Sequence, residues 1–570
     1  MLLYGISFPD MQNNEISELY YRCSGNVLIK QDIMEIQNGE VSFDTYFNAF
    51  SSSKFYEYTE LRGIIFKLSV KGRGVLKIVS RSKEHTLEIA RKEFSCEDFL
   101  EISVKCALSE KTGAILYPVI ESFGECSVCG MGFYSEIEGY NIAPVIVICT
   151  FHREEYVYRN LKKFAKSRLN IPVLLVDNGQ SIDTNKIEYP YCKVFPNRNY
   201  GGSGGFTRGM IEALRDGSFT HIILMDDDIT IDCTAIQKTL AFIRFLKDSN
   251  KKIGIAGGML ERQTPYKQFE ASARWKNGKL EHLNHGLDLR DINTLLDNES
   301  ECLGNYGAWW YLCMSVSALQ SGLPLPFFIK TDDIEFGLRT LDKVLVLNGI
   351  GLWHDSFDGK FSYYLEYYIK RNELVCNAIH EKYALKLALK KLFFGLGKCL
   401  VSYNYRSVKY ITKAFDDYLK GPDFFLNTDE EQLNSKLRED MEKPDAVTSP
   451  PEVTSVKDKK LLRILTLNGY LIPSCFLKRN TKTIPWSMGK PKDYFGYKNI
   501  VEYDFSGNRG VCRTMKKRWL FIGAGLLIKY TVRLIIENKK AVSEYKNRIG
   551  EITSAKFWCD HLGVEEIKVV

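Results

Sequence analysis

Apolar and polar residues alternate in short runs through the first part of the chain. Four such runs, separated by polar and glycine-containing turns, are Gly63 to Val70, Gly74 to Ser80, Phe99 to Cys106 and Gly113 to Ile120. A period of two is typical of strands that bury one face. The pattern predicts an N-terminal β-sandwich or jelly-roll domain over residues 1–140 that acts as a scaffold or contacts glycan.

Buried apolar runs alternate with helical spacing from residue 141 onwards. The predicted strands are Ala143–Phe151, Ile171–Val176, a short strand from Val194 and Thr220–Met225, and the predicted helices are His152–Leu169 and Phe206–Arg215. This alternation predicts an α/β fold with a doubly wound, mostly parallel sheet over residues 141–385. Ligands of such sheets bind at the carboxyl ends of the strands, so we expect the site there.

The last part of the chain, residues 386–570, has helical spacing and is predicted to be mainly helical. Segment 427–459 is polar and contains a Ser-Pro-Pro sequence, which indicates a linker or mobile loop. No apolar stretch reaches the roughly 18 residues of a membrane span. The nearest, Trp519–Ile536, is crossed by Lys529 and Arg533. It predicts either a helix on an anionic membrane surface or a packed helix with a solvated basic face.

Composition narrows the class of protein. A chain of 570 residues with 45% hydrophobic and 26% charged residues is typical of a soluble protein of two to four domains. The net charge of +7 is mild and no nucleic-acid-binding module is recognisable, so we expect no nucleic-acid partner. The start of the chain lacks the pattern of a secretory signal. The scattered cysteines, with the pair Cys126 and Cys129, indicate reduced thiols of a cytoplasmic protein rather than a zinc site.

The predicted strand that ends at Met225 is followed directly by Asp226, Asp227 and Asp228. Side chains alternate along a strand, so the first and third carboxylates are expected to face the same way. Two carboxylates on one side can hold a divalent cation, and Mn²⁺ or Mg²⁺ would bridge them to substrate phosphates. The alternative is that these aspartates cap the following helix.

Three further motifs carry candidate chemistry. The segment Gly201–Gly205 precedes a helix, and its backbone would approach a diphosphate, although neither the dinucleotide nor the P-loop pattern is complete. A turn without a ligand is the alternative. The pair Asp332 and Asp333 follows an apolar run, and one of the two carboxylates would take a proton from a hydroxyl nucleophile. His354 offers an imidazole for a metal site or an ordinary structural hydrogen bond.

In this order the motifs resemble those of inverting glycosyltransferases of family 2, which have the GT-A fold, and in particular the galactofuranosyltransferases that polymerise galactan. The motifs that carry the resemblance are Thr150–Arg153, Val176–Gly179, Asn197–Gly205, Asp226–Asp228, Ala308–Trp310, Asp332–Glu335, Trp353–His354 and Tyr367–Asn372, with Asp44–Asn48 near the N-terminus. One residue departs from the pattern, because His152 stands where the family often has asparagine.

The resemblance implies a role for each matching residue. The UDP-sugar donor would be bound by Thr150, Arg153, Asp177, Asn199, Gly201, Gly202 and Asp227. The cation, Mn²⁺ or Mg²⁺, would be held by Asp226, Asp228 and His354. The acceptor would contact Glu270, Trp309, Trp310 and Asp332, although the adjacent tryptophans could equally belong to the core. Asp333 would be the catalytic base.

The resemblance further implies transfer of galactofuranose from UDP-galactofuranose to a growing, polyprenyl-linked glycan. The enzyme would be cytoplasmic and peripheral on the inner face of the cytoplasmic membrane, and a homo-oligomer is left open. The alternatives are transfer of rhamnose, galactopyranose or glucose, a decayed glycan-binding or assembly protein, and a nucleotidyltransferase. The complete acidic set speaks against decay, and the first strand of the sheet lacks the glycine-rich loop that a nucleotidyltransferase needs.

Overall fold

The alternating N-terminal runs form an antiparallel sheet. The computed structural model describes residues 1–9, 14–30, 32–300, 304–355, 363–439, 445–446, 458–486, 489–504 and 509–567. Its first elements are β1 (Leu2–Gly5), β2 (Arg22–Lys30), β3 (Ile33–Ser42), α1 (Ser52–Tyr58), β4 (Gly63–Arg81), β5 (Thr86–Ala107) and β6 (Ile115–Tyr134). The strand order is β2-β3-β6-β4-β5, with β1 beside β6.

Two of the predicted runs are one strand. β4 continues through residues 71–73, where the sequence suggested a turn, because the pairing with β5 shifts in a bulge between Val70 and Gly72. Gly72 has a φ of +108°, a conformation that a glycine reaches without steric cost, so the chain bends and continues. The antiparallel β character is as predicted, and the closure of this sheet into a sandwich or jelly roll stays a prediction.

The middle of the chain forms the α/β part. Its elements are β7 (Pro144–Thr150), α2 (Glu154–Lys166), β8 (Val173–Asp177), β9 (Cys192–Pro196), α3 (Gly201–Asp216), β10 (His221–Asp226), β11 (Thr230–Ile231), α4 (Cys233–Ile243), β12 (Ile253–Glu261), β13 (Gln268–Glu270), β14 (Ser272–Lys276), β15 (Lys279–Leu283), α5 (Ile292–Glu299), β16 (Tyr311–Ser315), α6 (Asp332–Thr340) and β17 (Lys343–His354). Nine strands form the central sheet, whose main order is β11-β17-β12-β16-β10-β7-β8-β9, with β13 beside β12.

The central sheet is mixed but mostly parallel, as predicted, because β17, β12, β10, β7, β8 and β9 run in one direction and β16, β11 and β13 run in the other. The neighbours from β10 through β7 and β8 to β9 are parallel, as predicted. β16, however, lies antiparallel between β10 and β12, and β11 is antiparallel to β17. A strand buried on both faces has the same continuous apolar run in either direction, so the sequence pattern does not show this reversal.

The C-terminal part is mainly helical, as predicted, and also contains a small sheet. Its elements are α7 (Leu365–His380), α8 (Ala384–Val401), α9 (Tyr405–Leu419), α10 (Asp423–Leu426), α11 (Glu430–Glu439), β18 (Asp445–Ala446), α12 (Lys460–Leu465), β19 (Lys482–Pro485), α13 (Pro491–Tyr494), β20 (Asn499–Asp504), β21 (Arg509–Thr514), α14 (Arg518–Ile552) and α15 (Ala555–Leu562). The small sheet has the order β18-β21-β20-β19 and was missed.

Part of the predicted linker is a helix. Segment 427–459 contains α11, whose residues Leu433 and Leu437 are buried. Its polar composition is explained by the other face of the helix, which is largely exposed. Residues 440–444 and 447–457 of the same segment lie outside the described residues.

Apolar contacts and buried lysines join the three parts. The ring of Phe55 meets that of Phe242 at 4.8 Å between centroids, and Lys54 Nζ donates to the carbonyl of Val346 at 2.6 Å. At the other end of the chain, the Trp558 indole on α15 donates to the carbonyl of Pro324 at 2.7 Å. Because these contacts fix both flanking parts against the central sheet, side chains from all three can contribute to one cleft.

Candidate active site

The carboxyl ends of the parallel strands meet at one edge of the central sheet, as predicted. Thr150 at the end of β7 is the register partner of Asp177 at the end of β8. Asp226 at the end of β10 is the register partner of Cys149. Asn199 lies three residues beyond β9, before the start of α3. The polar groups singled out in the sequence therefore lie side by side along this edge.

Two carboxylates and an imidazole come together there. One ligand atom from each of Asp226, Asp228 and His354 lies within 4.8 Å of the others. His354 reaches the acids because β11, directly after them, pairs with the end of β17, where Thr230 faces Trp353. β10 ends at Asp226, so Asp228 lies beyond the strand. The approach of the two carboxylates therefore does not result from the alternation of side chains along a strand, which the sequence suggested.

The helix that follows the acid triplet, α4, is capped by a residue outside the triplet. Asp232 is the N-cap of α4, and its carboxylate accepts from the backbone N–H of Thr234 at 2.9 Å. The three consecutive acids therefore do not cap α4, and their side chains remain available for interactions in the cleft.

The charges in this cluster are unevenly compensated. Burial and the neighbouring Asp228 raise the pKa of Asp226 to about 7. Burial also opposes ionisation of Asp228, but the hydrogen bond and charge of His354, with the charge of Arg153, outweigh it and lower the pKa of Asp228 to about 2. His354 Nε2 lies 3.1 Å from Asp228 Oδ1, and its Nδ1 lies 2.6 Å from the carbonyl oxygen of Asp355. Two carboxylate oxygens and one imidazole nitrogen are a donor set that fits Mn²⁺ or Mg²⁺.

The middle carboxylate has different partners. Asp227 accepts from the Thr150 hydroxyl at 2.7 Å and from Arg153 Nη1 at 3.2 Å, and the same guanidinium nitrogen also bonds Asp228. Asn160 donates to the carbonyl of Asp227 at 3.0 Å, and Arg262 donates to the carbonyl of Asp228 at 2.7 Å. The sequence did not single out Asn160 or Arg262, which are isolated polar residues in otherwise ordinary segments.

The glycine-rich segment forms the first turn of α3 rather than a loop before it. Gly201 has a φ of +68°, and a Cβ there would lie 2.0 Å from the carbonyl oxygen of Phe328. A Cβ on Gly205 would lie 2.1 Å from Cys149 Sγ, so this glycine allows α3 to pack closely on β7. Gly202 lies beside the acid pair, since a Cβ there would be 3.8 Å from Asp332 Oδ2.

A cavity of about 480 Å³ lies over the ends of β7 and β8. Its walls include Phe151, Asn178, Asn199 and residues of α11. Arg198 holds α11 in place through Glu431 at 2.9 Å and the preceding Asp429 at 2.8 Å. A helix from the supposed linker thus closes one side of the space where the strand ends meet.

Asp177 is already engaged by the backbone. Its carboxylate accepts from the N–H groups of Gly179, Ser181 and Ile182 at 3.0, 2.7 and 2.8 Å. These bonds give the turn after β8 its shape. Asn199 acts in a similar way, because its side chain accepts from the N–H of Gly201 at 3.1 Å.

The second acid pair begins α6. Burial and the neighbouring Asp333 raise the pKa of Asp332 to about 8, and burial raises the pKa of Asp333 to about 6. Asp333 accepts from the N–H of Ile334 at 2.8 Å. A buried carboxyl group with a pKa near neutrality is suited to act as a general base.

The loop before α6 is held in a strained backbone. Phe328, Lys330 and Thr331 have φ values of 68°, 70° and 69°, which non-glycine residues rarely adopt. Asn372 on α7 donates to the carbonyls of Phe327, Ile329 and Lys330 at 3.2, 3.0 and 2.7 Å. These hydrogen bonds from Asn372 to the loop, which we call the clamp, explain why the Tyr367–Asn372 motif belongs with the site. Its residues lie on α7, a helix of the C-terminal part.

Glu270 lies close to the acid pair of α6. It is 2% exposed, bonds the His282 ring, and accepts from the Tyr306 hydroxyl at 3.5 Å. Its charge contributes to the raised pKa of Asp333. His282 and Tyr306 were not found from the sequence, because nothing in their neighbourhood along the chain marks them.

The tryptophan pair is buried. Trp309 is 5% and Trp310 8% exposed, and the Trp310 indole donates to the carbonyl of Gly257 at 3.0 Å. The Trp309 ring packs edge-on against Phe206 and Phe336. Both indoles therefore belong to the core beneath the cleft, the alternative that the sequence left open, and neither presents an open face on which a sugar could stack.

One thiol shows that the acidic groups converge. The pKa of Cys149 is raised well above its usual value by burial and then by the charges of Asp227, Asp226, Asp177 and Asp332. Acidic residues at the ends of β8 and β10 and at the start of α6 therefore lie near Cys149 of β7.

Two family models match the chain. The model "Galactofuranosyltransferase 2 N-terminal" matches residues 12–134, and the model "Glycosyl transferase family 2" matches residues 145–285. The second match implies the GT-A form of the α/β fold, with which the central sheet and its acidic edge agree.

Curated relatives match most of the chain. Galactofuranosyltransferase GlfT2 of Mycobacterium tuberculosis (strain ATCC 25618 / H37Rv) is 28% identical over 453 residues, which are 72% of this chain and 70% of that protein. Galactofuranosyltransferase GlfT2 of Mycolicibacterium smegmatis (strain ATCC 700084 / mc(2)155) is 26% identical over 465 residues, 74% of this chain and 71% of that protein. A solved structure described as a mycobacterial protein covers 42% of this chain and 74% of its own at 12% identity, with a TM-score of 0.28, too low to assign a fold.

The matched family model and the α/β sheet are those of a glycosyltransferase, an enzyme that takes a nucleotide-sugar donor and a glycan acceptor. The family models and the curated relatives support a family 2 glycosyltransferase of the galactofuranosyltransferase type, which confirms the resemblance seen in the motifs.

Proposed function

We propose that the chain transfers galactofuranose from UDP-galactofuranose to a growing glycan, with inversion at the anomeric carbon and with Mn²⁺ or Mg²⁺ bound. The main support is the meeting of Asp226, Asp228 and His354 within 4.8 Å at the sheet edge. A bound cation would neutralise charge that develops on the leaving diphosphate. The donor sugar follows from the curated relatives, whose printed names give their activity.

The donor would lie along the edge from β7 to α3. Arg153, Asp177 and Asn199 would border the space for the nucleoside, and the start of α3 would face the diphosphate; Asn199 lines the cavity over the ends of β7 and β8. The backbone amides of Gly201 and Gly202 lie at the N-terminus of a 16-residue helix, where the helix dipole favours negative charge. In this proposal Thr150 and Asp227 act by fixing Arg153 and the ends of the strands.

Asp333 would act as the base. It takes the proton of an acceptor hydroxyl, the hydroxyl oxygen attacks the anomeric carbon, and the bond from that carbon to the diphosphate oxygen breaks as UDP leaves. A single displacement inverts the anomeric centre. Base catalysis of this kind contributes about 10²–10⁴-fold. Asp332 and Glu270 would position the acceptor, and Trp309 and Trp310 would form the rigid floor beneath it.

The acceptor would be a polyprenyl-linked glycan at the cytoplasmic face of the membrane. By length and composition α14 is a helix that could cross a membrane, since an 18-residue window has a mean hydropathy of 1.7 and is 17% buried. The expectation that no stretch is long enough was thus too strict. The helix is nevertheless tied to α9, because Tyr530 donates to Asp416 at 2.9 Å and Tyr418 donates to Asn538 at 2.8 Å.

We therefore place α14 along the membrane surface. Phe521 is 78%, Ile528 66% and Ile536 71% exposed, on the side away from the bundle. Lys516, Lys517 and Arg518 precede the helix and would meet anionic lipid headgroups. The N-terminal sheet, which we propose to be closed as a sandwich, would lie away from this surface as a scaffold.

Product analysis tests the proposed reaction. The purified chain is incubated with MnCl₂, an alkyl-tailed galactofuranosyl disaccharide and one donor at a time: UDP-galactofuranose, UDP-galactopyranose, UDP-glucose or dTDP-rhamnose. We expect mass spectrometry to show added hexose with UDP-galactofuranose, loss of product with EDTA, and NMR to show an inverted anomeric centre. Equal transfer from another donor, or a retained configuration, would overturn the proposal.

A further inference from the structure

One arginine beside the acid triplet belongs to none of the sequence motifs. Arg262 directly follows β12, whose last residue, Glu261, is the register partner of His354 at the end of β17. The backbone N–H of Arg262 donates to the carbonyl of His354 at 3.0 Å. On its other side, the end of β17 pairs with β11, which begins shortly after Asp228. The end of β17 therefore lies between Arg262 and the acid triplet.

The guanidinium of Arg262 contacts both chain segments that supply the candidate cation ligands. Its Nη2 donates to the carbonyl of Asp228 at 2.7 Å, and its Nη1 donates to the carboxylate of Asp355 at 3.1 Å. Asp228 is itself a candidate ligand, and Asp355 directly follows another, His354, whose Nδ1 lies 2.6 Å from the Asp355 carbonyl oxygen. A planar guanidinium has its donors in a rigid fork, so one side chain can fix two partners relative to each other.

The same guanidinium is close to α2, which holds the triplet from one side. Its Cζ lies 6.0 Å from the ring centroid of Tyr156, and the Cζ of Arg159 lies 4.9 Å from the same centroid. Arg159 donates to the carbonyl of Ile229 at 3.2 Å, and burial and the charge of Arg262 lower the pKa of Arg159. The contacts from α2 therefore hold the backbone after the triplet, whereas Arg262 also ties the triplet to the end of β17.

We propose that Arg262 is a positioning residue of the cation site, because it fixes the spacing between Asp228 and His354. Its two side-chain bonds go to the Asp228 carbonyl and to the Asp355 carboxylate, so neither of them uses a candidate ligand atom. Ligands that are already held at their spacing bind a cation more tightly, and loss of a group that holds them typically costs about 10–100-fold in metal affinity. This assignment rests on the proposed function, because it concerns the cation of that reaction.

A lysine at this position separates a role of the fork from a role of the charge. Arg262→Lys keeps the positive charge but has a single ammonium group in place of the fork, so it cannot reproduce both hydrogen bonds in the same geometry. If Arg262 served only as a positive charge beside the acids or the diphosphate, lysine would replace it. If it acts by joining two segments, the cation site is impaired although the net charge is unchanged.

Binding of Mn²⁺ alone tests the proposal without any turnover. Electron paramagnetic resonance of free Mn²⁺ gives the Kd of the full chain in the absence of nucleotide. We expect Arg262→Lys to raise this Kd about tenfold. The matched control is Arg290→Lys, because Arg290 also pairs with an aspartate, Asp288 at 2.6 Å, and lies over a tyrosine ring, Tyr266 at 3.5 Å. A wild-type Kd in Arg262→Lys, or an equal rise in the control, would overturn the proposal.

A double-mutant cycle shows whether Arg262 acts through Asp355. We expect Asp355→Asn to raise the Kd for Mn²⁺ as well, and the double variant Arg262→Lys, Asp355→Asn to be no weaker than the weaker single variant, since both changes break the same bridge. Multiplied losses in the double variant would overturn the bridge. Asp355→Asn alone keeps the test decisive if Arg262→Lys does not fold, because an unchanged Kd in that variant also contradicts the bridge.

Hydrogen exchange in EDTA separates this inference from the proposed function, because it needs no cation. We expect Arg262→Lys to exchange faster than the wild type in residues 226–231 and in residues 350–355 together, with the rest of the chain unchanged. If the wild type binds no Mn²⁺ but both segments loosen in the variant, the positioning role stands and the proposed cation chemistry fails. If the wild type binds Mn²⁺ and the variant matches it in affinity and exchange, the cation chemistry stands and the positioning role fails.

Discussion

Four carboxyl groups in the cleft are held in different charge states by their surroundings. Burial raises the pKa of Asp226, Asp332 and Asp333 to about 7, 8 and 6, whereas His354 and Arg153 overcome the burial of Asp228 and lower its pKa to about 2. At neutral pH Asp228 is ionised, and Asp333 is mostly ionised yet basic enough to accept a proton. The environments thus suit one acid to cation binding and another to base catalysis.

The pH dependence of kcat/KM should respond to the neighbours of Asp333. The base must be ionised, so activity is expected to fall as the pH falls through about 6. Glu270 raises and Lys330 lowers the pKa of Asp333. We therefore expect Glu270→Gln to move the acidic limb to lower pH and Lys330→Gln to move it to higher pH. Kinetics with saturating Mn²⁺ measure both, and shifts in the same direction would assign the limb to another group.

Sequence reasoning located those residues whose neighbours along the chain form a motif. The triplet Asp226–Asp228 follows an apolar strand, and the pair Asp332 and Asp333 follows an apolar run, so both could be found. Asn160 and Arg262, which bond the carbonyls of the triplet, are single polar residues that only the tertiary fold brings to the site. Their roles could not be predicted without knowing which helix and strand face the acids.

At the level of elements, the loop before α6 depends on α7. The three positive φ values at Phe328, Lys330 and Thr331 are unfavourable for non-glycine residues and persist only because other groups fix them. The three hydrogen bonds from Asn372 are the most direct of these contacts. The position of Asp333, the proposed base, thus depends on a helix of the C-terminal part.

Removal of the clamp should impair catalysis more than donor binding. We expect Asn372→Ala to lower the free energy of unfolding by about 1–3 kcal/mol, through lost hydrogen bonds. It should lower kcat by about 10–100-fold, because a small displacement of the base is costly. Urea unfolding and saturation kinetics measure the two effects, with Asn547→Ala on an exposed position of α14 as the control. A destabilised variant with wild-type kcat would show that the loop keeps its shape alone.

The type of most elements followed from their periodicity, but their direction and continuity did not. The alternation in residues 63–80 predicted two strands where a bulge at Gly72 allows one. The apolar run of β16 gave no sign of its antiparallel direction. α11 looked like a linker because only a few of its residues are apolar. Each failure concerns a contact distant in sequence, which local pattern does not encode.

For the whole molecule, the proposed reaction and the proposed membrane attachment both depend on the C-terminal part. α11 borders the cavity over the ends of β7 and β8, α7 holds the loop before α6 by hydrogen bonds, and α14 exposes an apolar side. The helical part also packs against the central sheet: Trp558 on α15 belongs to the same apolar cluster as residues of α3 and of the sheet strands. Attachment of α14 to a membrane would hold the cleft at a fixed orientation to the lipid surface.

Vesicle sedimentation tests this orientation. We expect the chain to bind vesicles that contain phosphatidylglycerol, and to bind less at high salt because basic residues contribute. The variant Phe521→Ser, Ile528→Ser should bind about tenfold more weakly, since it loses two apolar side chains from the interface. Leu87→Ser, at a 56% exposed leucine of β5, is the matched control. Equal binding by the double variant and the wild type would contradict a surface role for α14.

The central claim is that Asp226 and Asp228 hold a cation for the diphosphate while Asp333 acts separately as the base. Isothermal titration with UDP, in Mn²⁺ and in EDTA, tests it most directly. We predict that Asp226→Ala loses the Mn²⁺-dependent part of UDP binding, whereas Asp333→Asn keeps it and loses about 10²–10⁴-fold in turnover. UDP binding by Asp226→Ala that is unchanged and still enhanced by Mn²⁺, or loss of binding and turnover together in Asp333→Asn, would contradict the account.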